Sequence, residues 1–574
     1  MPEDSDYCPP VDDTPPPAAT RSASDPRVTG AATFDRASMI SRLRQGGFDV
    51  VVVGGGITGV GVALDAASRG LRTALVERDD FASGTSSKSS KLVHGGLRYL
   101  QQGDVRLVYE ALHERQRLYR NAPHLVTVLP FMLPILTKDG LVSRKIARAL
   151  GSALWMYDIT GGLRIGRVHS RLRRKRALAH MPTMPPERLA SAYVYYDAQA
   201  DDARLCLTVA RTAADHGAVV VNRCAMTSVV RTGERVTGIT VRCDGETFDV
   251  DAAVVVNATG VFTDQLDVVP AKGVHITVPW DKVRNDIAVV IPVPKDRRSL
   301  FVVPWGPRGD GTFTHTYVGT TDTGYRGPVD DPQCTKDDID YVLRALNASV
   351  TTGITEADIT GVWAGLRPLV KAVSDDRAAA RTADLSRRHL VKTSDDGIVT
   401  VNGGKLTTYR EMASDTVDQV VKTLGRRARS RTKRLRLHGA RGHRSKPGHS
   451  IDETTARHLS GRYGGEAQVL AAMIERDPSL GEPMVPSLPY TKAEAVYAVS
   501  HEMATTLDDV LSRRTRALLF DRSAARLAAA DVARLMAPHA GWDDARVALE
   551  VAAFEEICTH EEVAAQVTES EMYP

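Results

Sequence analysis

"FDVVVVGGGITGVGVALDAASRGLRTALVERDD", residues 48–80, decides the fold class of this chain. Its run of valines predicts a strand that is buried on both faces of a parallel sheet. Gly54, Gly56 and Gly59 follow with the spacing GxGxxG and open a helical pattern, after which a second strand ends at Glu77. This order predicts a βαβ unit that binds a dinucleotide, with the glycines against its pyrophosphate and Glu77 accepting from a ribose hydroxyl.

A hydroxyl-rich loop comes next, where nicotinamide enzymes normally continue with further βαβ units. Residues 81–90 have the sequence FASGTSSKSS, in which Thr85, Ser86 and Ser87 suit the pyrophosphate, ribityl chain or ring edge of a long, extended cofactor. The alternative is a flexible loop that contacts only solvent.

The segment SKLVHGGLRYL, residues 90–100, places His94, Arg98 and Tyr99 around a Gly–Gly step. If the chain is helical after His94, His94 and Arg98 lie on one face at positions i and i+4, where both can reach one small ligand. Histidine titrates near neutral pH and suits a general base, although a lone histidine beside glycine is more often structural. We expect the glycines to let the backbone pass close to a cofactor ring.

The composition indicates a globular protein with several folding units: 574 residues, 43% hydrophobic and 25% charged. Six cysteines without a CxxC pair argue against a disulfide framework or a zinc site and favour a reducing, cytoplasmic setting. The longest apolar run, residues 50–64, is shorter than the roughly 20 residues that a membrane span needs. The acidic, proline-rich N-terminal segment resembles neither a signal peptide nor a transit peptide, and predicts a disordered tail.

Segments further along the chain predict additional strands and helices. The pattern indicates a helix over 202–216, a hairpin turn at the Asp–Gly pair 244–245 and an apolar strand that ends at Gly260. Residues 301–325 are typical of antiparallel strands. In GVWAGLRPLV, Arg367 precedes proline, which predicts an arginine that is pre-positioned on a restricted turn.

The last informative run is IVTVNGGKLTTYR, residues 398–410. It predicts a strand, a Gly–Gly turn and a helix from about Lys405. Such a turn presents unpaired N–H groups that can stabilise negative charge on a bound cofactor. Lys405 is well placed for an anionic substrate. A basic segment and helical patterns follow.

Several of these runs resemble the FAD-dependent glycerol-3-phosphate dehydrogenases, a branch of the glutathione-reductase-like, D-amino-acid-oxidase-like flavoproteins. The resemblance rests on the glycine fingerprint, GTSSKSSKLVHGGLRYL, PW…GTTD, GLRPL, GGKLTTYR and YAV…EMATTLDDVLSRRTR. It extends from about residue 48 to about residue 559. It implies an α/β fold in which an FAD-binding Rossmann-like domain carries an antiparallel-sheet substrate domain and a C-terminal all-α domain.

The domain boundaries that we predict follow from this resemblance and from the composition. They are a disordered tail at 1–46, the FAD-binding domain at 47–424 with its substrate part at roughly 270–370, a basic linker at 425–450, a helical domain at 451–562 and a tail at 563–574.

The resemblance implies oxidation of sn-glycerol 3-phosphate to dihydroxyacetone phosphate, with a hydride passing from C2 to flavin N5 and electrons passing to a membrane quinone in glycerol catabolism. His94, Arg98 and Arg367 are the implied catalytic residues, and how His94 and Arg367 share proton removal stays open. The implied substrate contacts are Arg98, Tyr99, Arg367, Lys405 and Arg387, whose place Arg388 could also fill. The implied FAD contacts are Gly54, Gly56, Gly59, Glu77, Thr85, Ser86, Ser87, Gly260, Gly404, Leu406 and Thr407. No metal is expected.

Other functions remain open at this point. An oxidase that uses oxygen, an amine or amino-acid oxidase of the same fold and a flavin-binding protein without turnover are the alternatives. Basic residues at 164–176 and an amphipathic run at 144–159 suit an anionic membrane surface, although a solvated basic face explains them equally well. We expect a cytoplasmic homodimer with peripheral membrane contact and without nucleic-acid binding.

Overall fold

Two β-sheets and a C-terminal group of helices form the part of the chain that the structure describes. The computed structural model describes residues 34–96, 105–137, 147–162, 165–263, 266, 268–296, 298–370, 389–443 and 451–573. Four predicted substrate contacts lie outside these ranges: Arg98, Tyr99, Arg387 and the alternative Arg388.

The strands, in chain order, are β1 (Phe48–Val53), β2 (Thr73–Val76), β3 (Leu92–Val93), β4 (Thr127–Leu136), β5 (Ser170–Arg173), β6 (Leu189–Gln199), β7 (Val219–Val221), β8 (Cys224–Thr232), β9 (Arg235–Cys243), β10 (Glu246–Asn257), β11 (Val268–Pro279), β12 (Ala288–Pro292), β13 (Ser299–Pro307), β14 (Phe313–Gly319), β15 (Thr323–Gly324), β16 (Gly361–Val370), β17 (Leu390–Thr393) and β18 (Val399–Asn402). The helices are α1 (Arg36–Arg44), α2 (Ile57–Ser68), α3 (Val105–Asn121), α4 (Ala147–Tyr157), α5 (Arg174–Ala179), α6 (Asp202–Asp215), α7 (Lys336–Asn347), α8 (Tyr409–Thr423), α9 (Glu453–Tyr463), α10 (Ala467–Arg476), α11 (Lys492–Glu502), α12 (Ala517–Phe520), α13 (Arg522–Ala540), α14 (Asp544–Ala564) and α15 (Glu569–Met572).

The first sheet contains the predicted βαβ unit, which is confirmed as β1, α2 and β2. Its strand order is β17-β18-β10-β1-β2-β7, and β1 pairs in parallel with both β2 and β10. Val50, Val51 and Val52 of β1 are buried because helices cover the sheet, with α2 packed against α6 and α8. A parallel sheet covered in this way places its ligand at the carboxyl ends of the strands.

The predicted hairpin turn is also confirmed. Asp244 and Gly245 have φ values of 51° and 83° and connect β9 to β10 as a two-residue turn. Both values lie in the left-handed region that type I′ turns require, which is why an Asp–Gly pair suits this position. The first half of β10 pairs with β9 and its second half enters the parallel sheet.

The second sheet is mainly antiparallel, with the order β15-β11-β14-β13-β12-β4-β6-β3. The strands predicted within 301–325 are confirmed as β13, β14 and β15. The predicted turn at Arg367 is wrong: Arg367 lies within β16, opposite Ala271 of β11. A residue before proline is restricted to extended backbone, and a strand supplies that conformation as well as a turn does. β16 pairs only with β11 among the described strands, so Pro368 interrupts no second ladder.

The C-terminal helices attach to the first sheet through buried ion pairs. The Arg514 side chain donates to both carboxylate oxygens of Asp80, at 2.6 and 2.9 Å. Arg516 pairs with Asp202 at the start of α6. Paired buried charges of this kind fix the relative position of the two parts strongly, since separation would leave each charge without its partner.

No helix among the described residues combines the length and apolar character that crossing a bilayer requires.

Candidate active site

A large cavity lies at the carboxyl ends of β1, β2 and β10. Eight of the residues predicted to contact a cofactor line it: Gly54, Gly56, Glu77, Thr85, Ser86, Gly260, Gly404 and Leu406. The sequence separation between the first and last of these residues shows that the fold assembles the cavity from distant segments.

Two glycines of the fingerprint are required by close approach. A Cβ at Gly54, where φ is 114°, would lie 2.6 Å from the Ala258 carbonyl oxygen. A Cβ at Gly59 would lie 1.9 Å from the Gly54 carbonyl oxygen, so Gly59 brings α2 against the turn without itself lining the cavity. Ser87 also lies behind the cavity wall, where its side chain is buried. The resulting cradle of backbone suits the pyrophosphate of a dinucleotide such as FAD.

Glu77 and Ser86 hold the glycine turn in place. The Glu77 carboxylate accepts from the Gly55 N–H at 2.5 Å and from the Asp79 N–H at 2.8 Å. Burial raises the pKa of Glu77 above its ordinary value. The Ser86 hydroxyl accepts from the Ile57 N–H at 2.9 Å, at the first residue of α2. Thus the carboxylate that we predict to bind ribose lies at the cavity wall and already fixes the turn beside it.

A second cavity adjoins the first and shares part of its wall with it, including Thr85 and residues 403–406. It brings together His94, Arg367 and Lys405, and Thr407 also lines it. Lys88 adds a third cation, and no Asp or Glu occurs among the described residues that line the cavity. Nor do any three His, Cys, Asp or Glu side chains of the described ranges form a metal site. The cavity therefore favours an anionic ligand.

Arg367 is held by a set of contacts from neighbouring strands. Its guanidinium donates to the Thr320 hydroxyl at 2.9 Å, to the Thr321 carbonyl at 3.1 Å and to the Asp322 carboxylate at 3.2 Å. A Cβ at Gly273 would lie 2.4 Å from the guanidinium, so this glycine makes room for it. These contacts orient Arg367 at the cavity wall.

His94 directly follows β3, and its position is fixed through the backbone. Its N–H donates to the Thr407 hydroxyl at 3.1 Å. The next residue, Gly95, is required by packing, since a Cβ there would lie 2.5 Å from Leu112 and 2.6 Å from the Tyr157 hydroxyl oxygen. Close packing therefore explains why the first residue of the Gly–Gly step is glycine, which the sequence alone did not indicate.

The helix predicted from about Lys405 begins later. Lys405 is extended, a 3₁₀ turn covers Leu406–Thr408, and α8 starts at Tyr409. The Gly403 N–H, predicted to be unpaired, donates to the Asn402 side chain at 2.8 Å.

His275 is a candidate site residue that the sequence reasoning missed. It lines the second cavity from β11, stacks on Trp363 at 4.7 Å between ring centroids, and its Nε2 lies 2.9 Å from the Ser90 hydroxyl. Burial, together with Lys91 and Arg367, holds its pKa well below the ordinary value, so the ring is neutral. A histidine in the apolar strand pattern of AKGVHITVP was the available signal.

Comparisons with known proteins agree with this geometry. A family model described as "FAD dependent oxidoreductase" matches residues 49–410, and one described as "C-terminal domain of alpha-glycerophosphate oxidase" matches residues 430–547. The chain is 42% identical over 539 residues to Glycerol-3-phosphate dehydrogenase 2 of Mycobacterium bovis, covering 90% of this chain and 89% of that protein. It is 38% identical over 540 residues to the mitochondrial glycerol-3-phosphate dehydrogenase of Homo sapiens, covering 87% and 71%.

Among solved structures, the glycerol-3-phosphate dehydrogenase of Bacillus halodurans complexed with FAD is similar, with a TM-score of 0.72 and 29% identity. The match covers 93% of this chain and 98% of that one. These findings confirm the fold class and the FAD dependence that the sequence predicts.

Proposed function

Because the chain belongs to the family of FAD-dependent glycerol-3-phosphate dehydrogenases and oxidases, we propose that it oxidises sn-glycerol 3-phosphate to dihydroxyacetone phosphate. The observation that carries this proposal is the cation-lined second cavity, which shares a wall with the dinucleotide cavity. FAD, when bound, supplies the acceptor for two electrons. The residues of the chain must then bind the phosphate, orient the secondary alcohol and remove its proton.

Arg367 is our proposed phosphate ligand. A guanidinium presents two parallel N–H donors to a phosphate, and these charge-assisted bonds are stronger than neutral ones. The guanidinium already donates hydrogen bonds to Thr320 and Asp322. The Arg367 side chain therefore loses little conformational freedom when the substrate binds. Lys88 and Lys405 add positive charge around the same cavity.

His94 is our proposed general base. Two histidines line the cavity, and proton removal by either would have to start from a neutral ring. The depressed pKa of His275 makes it a weak base, whereas its fixed neutral ring suits a hydrogen bond to the substrate. His94 lies beside Thr407 at the wall shared with the dinucleotide cavity, and is therefore the better candidate for the proton acceptor.

Anaerobic reduction tests the proposed reaction. Adding sn-glycerol 3-phosphate to the purified, FAD-loaded protein without oxygen is expected to bleach the flavin absorbance. Glycerol, which lacks the phosphate, serves as the control and should reduce the flavin much more slowly, because it cannot engage Arg367. If the flavin stays oxidised with the phosphate ester, the proposed substrate is wrong.

We further propose that a membrane quinone re-oxidises the flavin, with oxygen as the alternative acceptor. The supporting observation is a surface that we call the basic apolar face. It combines exposed apolar residues of 155–168 with exposed cations of 167–176: Trp155, Met156, Ile159, Val168, Arg167, Arg171, Arg173, Arg174, Lys175 and Arg176. The ring centroids of Trp155 and His169 are 5.1 Å apart, and this contact joins the apolar residues and the cations into one surface. Apolar side chains flanked by cations suit the headgroup region of an anionic bilayer.

Vesicle binding tests the basic apolar face. The full-length protein is expected to cosediment with vesicles that contain anionic lipid and much less with neutral vesicles, and added salt should weaken binding. Replacing Trp155 and Ile159, which are 56% and 65% exposed, with serine should reduce binding several-fold. Leu527→Ser is the matched control, since Leu527 is 85% exposed on α13 outside this face. Equal binding by all three proteins would exclude the proposed contact.

Cytoplasmic location with peripheral membrane contact remains our proposal, as does the homodimeric state. Both are consistent with the proposed reaction, in which a substrate from the cytoplasm meets an acceptor in the bilayer.

A further inference from the structure

We propose that Cys224 and Cys243 form a reversible disulfide, which makes this pair a site of covalent modification apart from both cavities. The two residues face each other across β8 and β9. Neither belongs to the residues that line the cavities described above. The inference is therefore independent of the proposed reaction.

The strand register gives the pair a geometry that a disulfide accepts. The two-residue turn at 244–245 joins Cys243 to Glu246, so the backbone polar groups of Cys243 point toward β10 and away from β8. The Cys224 N–H likewise points away from β9, because it donates to the Glu77 carbonyl at 2.7 Å. Cys224 and Cys243 are thus a non-hydrogen-bonded pair, in which Cα atoms are about 4.5 Å apart. This spacing lies within the range of roughly 4.4–6.8 Å found in disulfides.

The side chains lie on the same face of the ribbon and meet there. Both cysteines are free, and the Cys224 thiol is close enough to the Cys243 thiol to lower its pKa. Both side chains are almost completely buried. Cys243 lies close to the surface all the same, since the adjacent Asp244 carboxylate is 58% exposed.

Arg36 prepares one of the two thiols for reaction. Its guanidinium lies 3.8 Å from the Cys243 sulfur and bridges it to Asp244. The hydrogen bond from Cys224 and the charge of Arg36 lower the pKa of the Cys243 thiol. The pKa of Cys224 is raised by the same hydrogen bond and by burial. Cys243 is therefore the nucleophile and Cys224 the resolving thiol.

The oxidant is a hydroperoxide. The Cys243 thiolate attacks one oxygen of hydrogen peroxide, the O–O bond breaks, and a sulfenic acid and hydroxide form. The Cys224 sulfur then attacks the sulfenic sulfur, so that an S–S bond forms, the S–O bond breaks and water leaves with the Cys224 proton. In total, two thiols and one peroxide give one disulfide and two waters, and two electrons pass from sulfur to oxygen. A dithiol reductant reverses the change.

The disulfide would stiffen the wall of the dinucleotide cavity. The Cys224 N–H donates a hydrogen bond to the Glu77 carbonyl oxygen. Met226, two residues further along β8, lines the dinucleotide cavity. Joining β8 to β9 closes a loop and restricts the unfolded chain. We expect the oxidised protein to have a higher Tm than the reduced protein and to release FAD more slowly on heating.

Peptide mapping tests the proposal on the full-length protein. The reduced protein is treated with hydrogen peroxide, free thiols are alkylated, and the non-reducing digest is analysed by mass spectrometry. The expected product is a cross-linked peptide pair containing Cys224 and Cys243 that is two hydrogens lighter than the separate peptides and disappears after dithiothreitol. Circular dichroism on the same sample must show native structure. Absence of the pair, or its appearance only in unfolded protein, would overturn the proposal.

Variants separate this site from other cysteine chemistry. Cys224→Ser and Cys243→Ser should each abolish the cross-link and the rise in Tm, while Cys8→Ser, outside the described residues, should leave both unchanged. Arg36→Gln should shift the pH at which oxidation is half-maximal upward, because the guanidinium no longer favours the thiolate. An unchanged pH midpoint would contradict the role of Arg36, and a cross-link that survives in Cys243→Ser would contradict the site itself.

Discussion

Replacing Arg367 with alanine is expected to lower kcat/KM for sn-glycerol 3-phosphate by at least about 10²-fold. The change removes two charge-assisted hydrogen bonds, which contribute about 1.5–3 kcal/mol each. It also removes the ion pair between Arg367 and the Asp322 carboxylate, in which the two groups are 3.2 Å apart. Stopped-flow measurement of flavin reduction against substrate concentration determines the effect. Arg367→Lys should recover only part of the loss, because lysine keeps the charge but not the planar fork.

Comparison with His94→Gln separates binding from proton removal. Glutamine retains hydrogen-bonding groups but accepts no proton, so the limiting rate of flavin reduction should fall by about 10²- to 10⁴-fold. The substrate concentration for half-maximal rate should change less than in Arg367→Ala. Arg326→Ala, an exposed arginine of the same sheet region, is the control and should behave as the unmodified protein. If Arg367→Ala matched this control, Arg367 would not be the phosphate ligand.

Local signals explain why part of the fold could be predicted. The strand, glycine turn and helix at 48–68 depend on neighbouring residues, and so does the left-handed turn at Asp244 and Gly245. In both places only a few amino acids can adopt the backbone conformation that the turn requires. The sequence therefore predicted these elements with nearly the observed boundaries.

Tertiary contacts explain what could not be predicted. The hydrogen bond between His94 and Thr407 joins residues that are 313 positions apart in the chain. His275 belongs to the second cavity because it stacks on Trp363 of another strand, and no local pattern reveals that partner. The same limit applies to Arg367, whose strand forms only because β11 is available to pair with it.

The C-terminal helices are the largest part of the molecule whose role was hidden in the sequence. Their arginines are ordinary basic residues in the printed chain, yet Arg514 and Arg516 are buried and pair with acids of the first sheet and α6. One of these acids, Asp202, also binds Lys91 and the Ser89 hydroxyl, next to the second cavity. The helices thus support the loop that carries the cavity residues as well as covering the sheet.

Replacing Asp80 with alanine is expected to lower the free energy of unfolding by about 3–5 kcal/mol, the typical result of leaving a buried charge unpaired. The Asp80 carboxylate is completely buried and accepts from Arg514 at 2.6 and 2.9 Å and from Arg513 at 2.7 Å. Its removal takes away the carboxylate that pairs with the buried Arg514 guanidinium, whereas Arg513 keeps its ion pairs with Asp508 and Asp509. Because Asp80 follows Glu77 and Asp79 at the wall of the dinucleotide cavity, retention of FAD should weaken as well.

Chemical denaturation, followed by circular dichroism and by the fluorescence of released FAD, measures both effects. Asp531→Ala is the matched control: its ion pair with Arg534 on α13 is exposed, with side chains 83% and 67% accessible, and such pairs contribute at most about 1 kcal/mol. The double variant Asp80→Ala with Arg514→Met should lose less unfolding free energy than the two single variants lose together. In the double variant the Arg514 guanidinium is also absent, so it is not left buried without its carboxylate. Equal stability of Asp80→Ala and Asp531→Ala would show that the buried ion pairs do not hold the helices to the sheet.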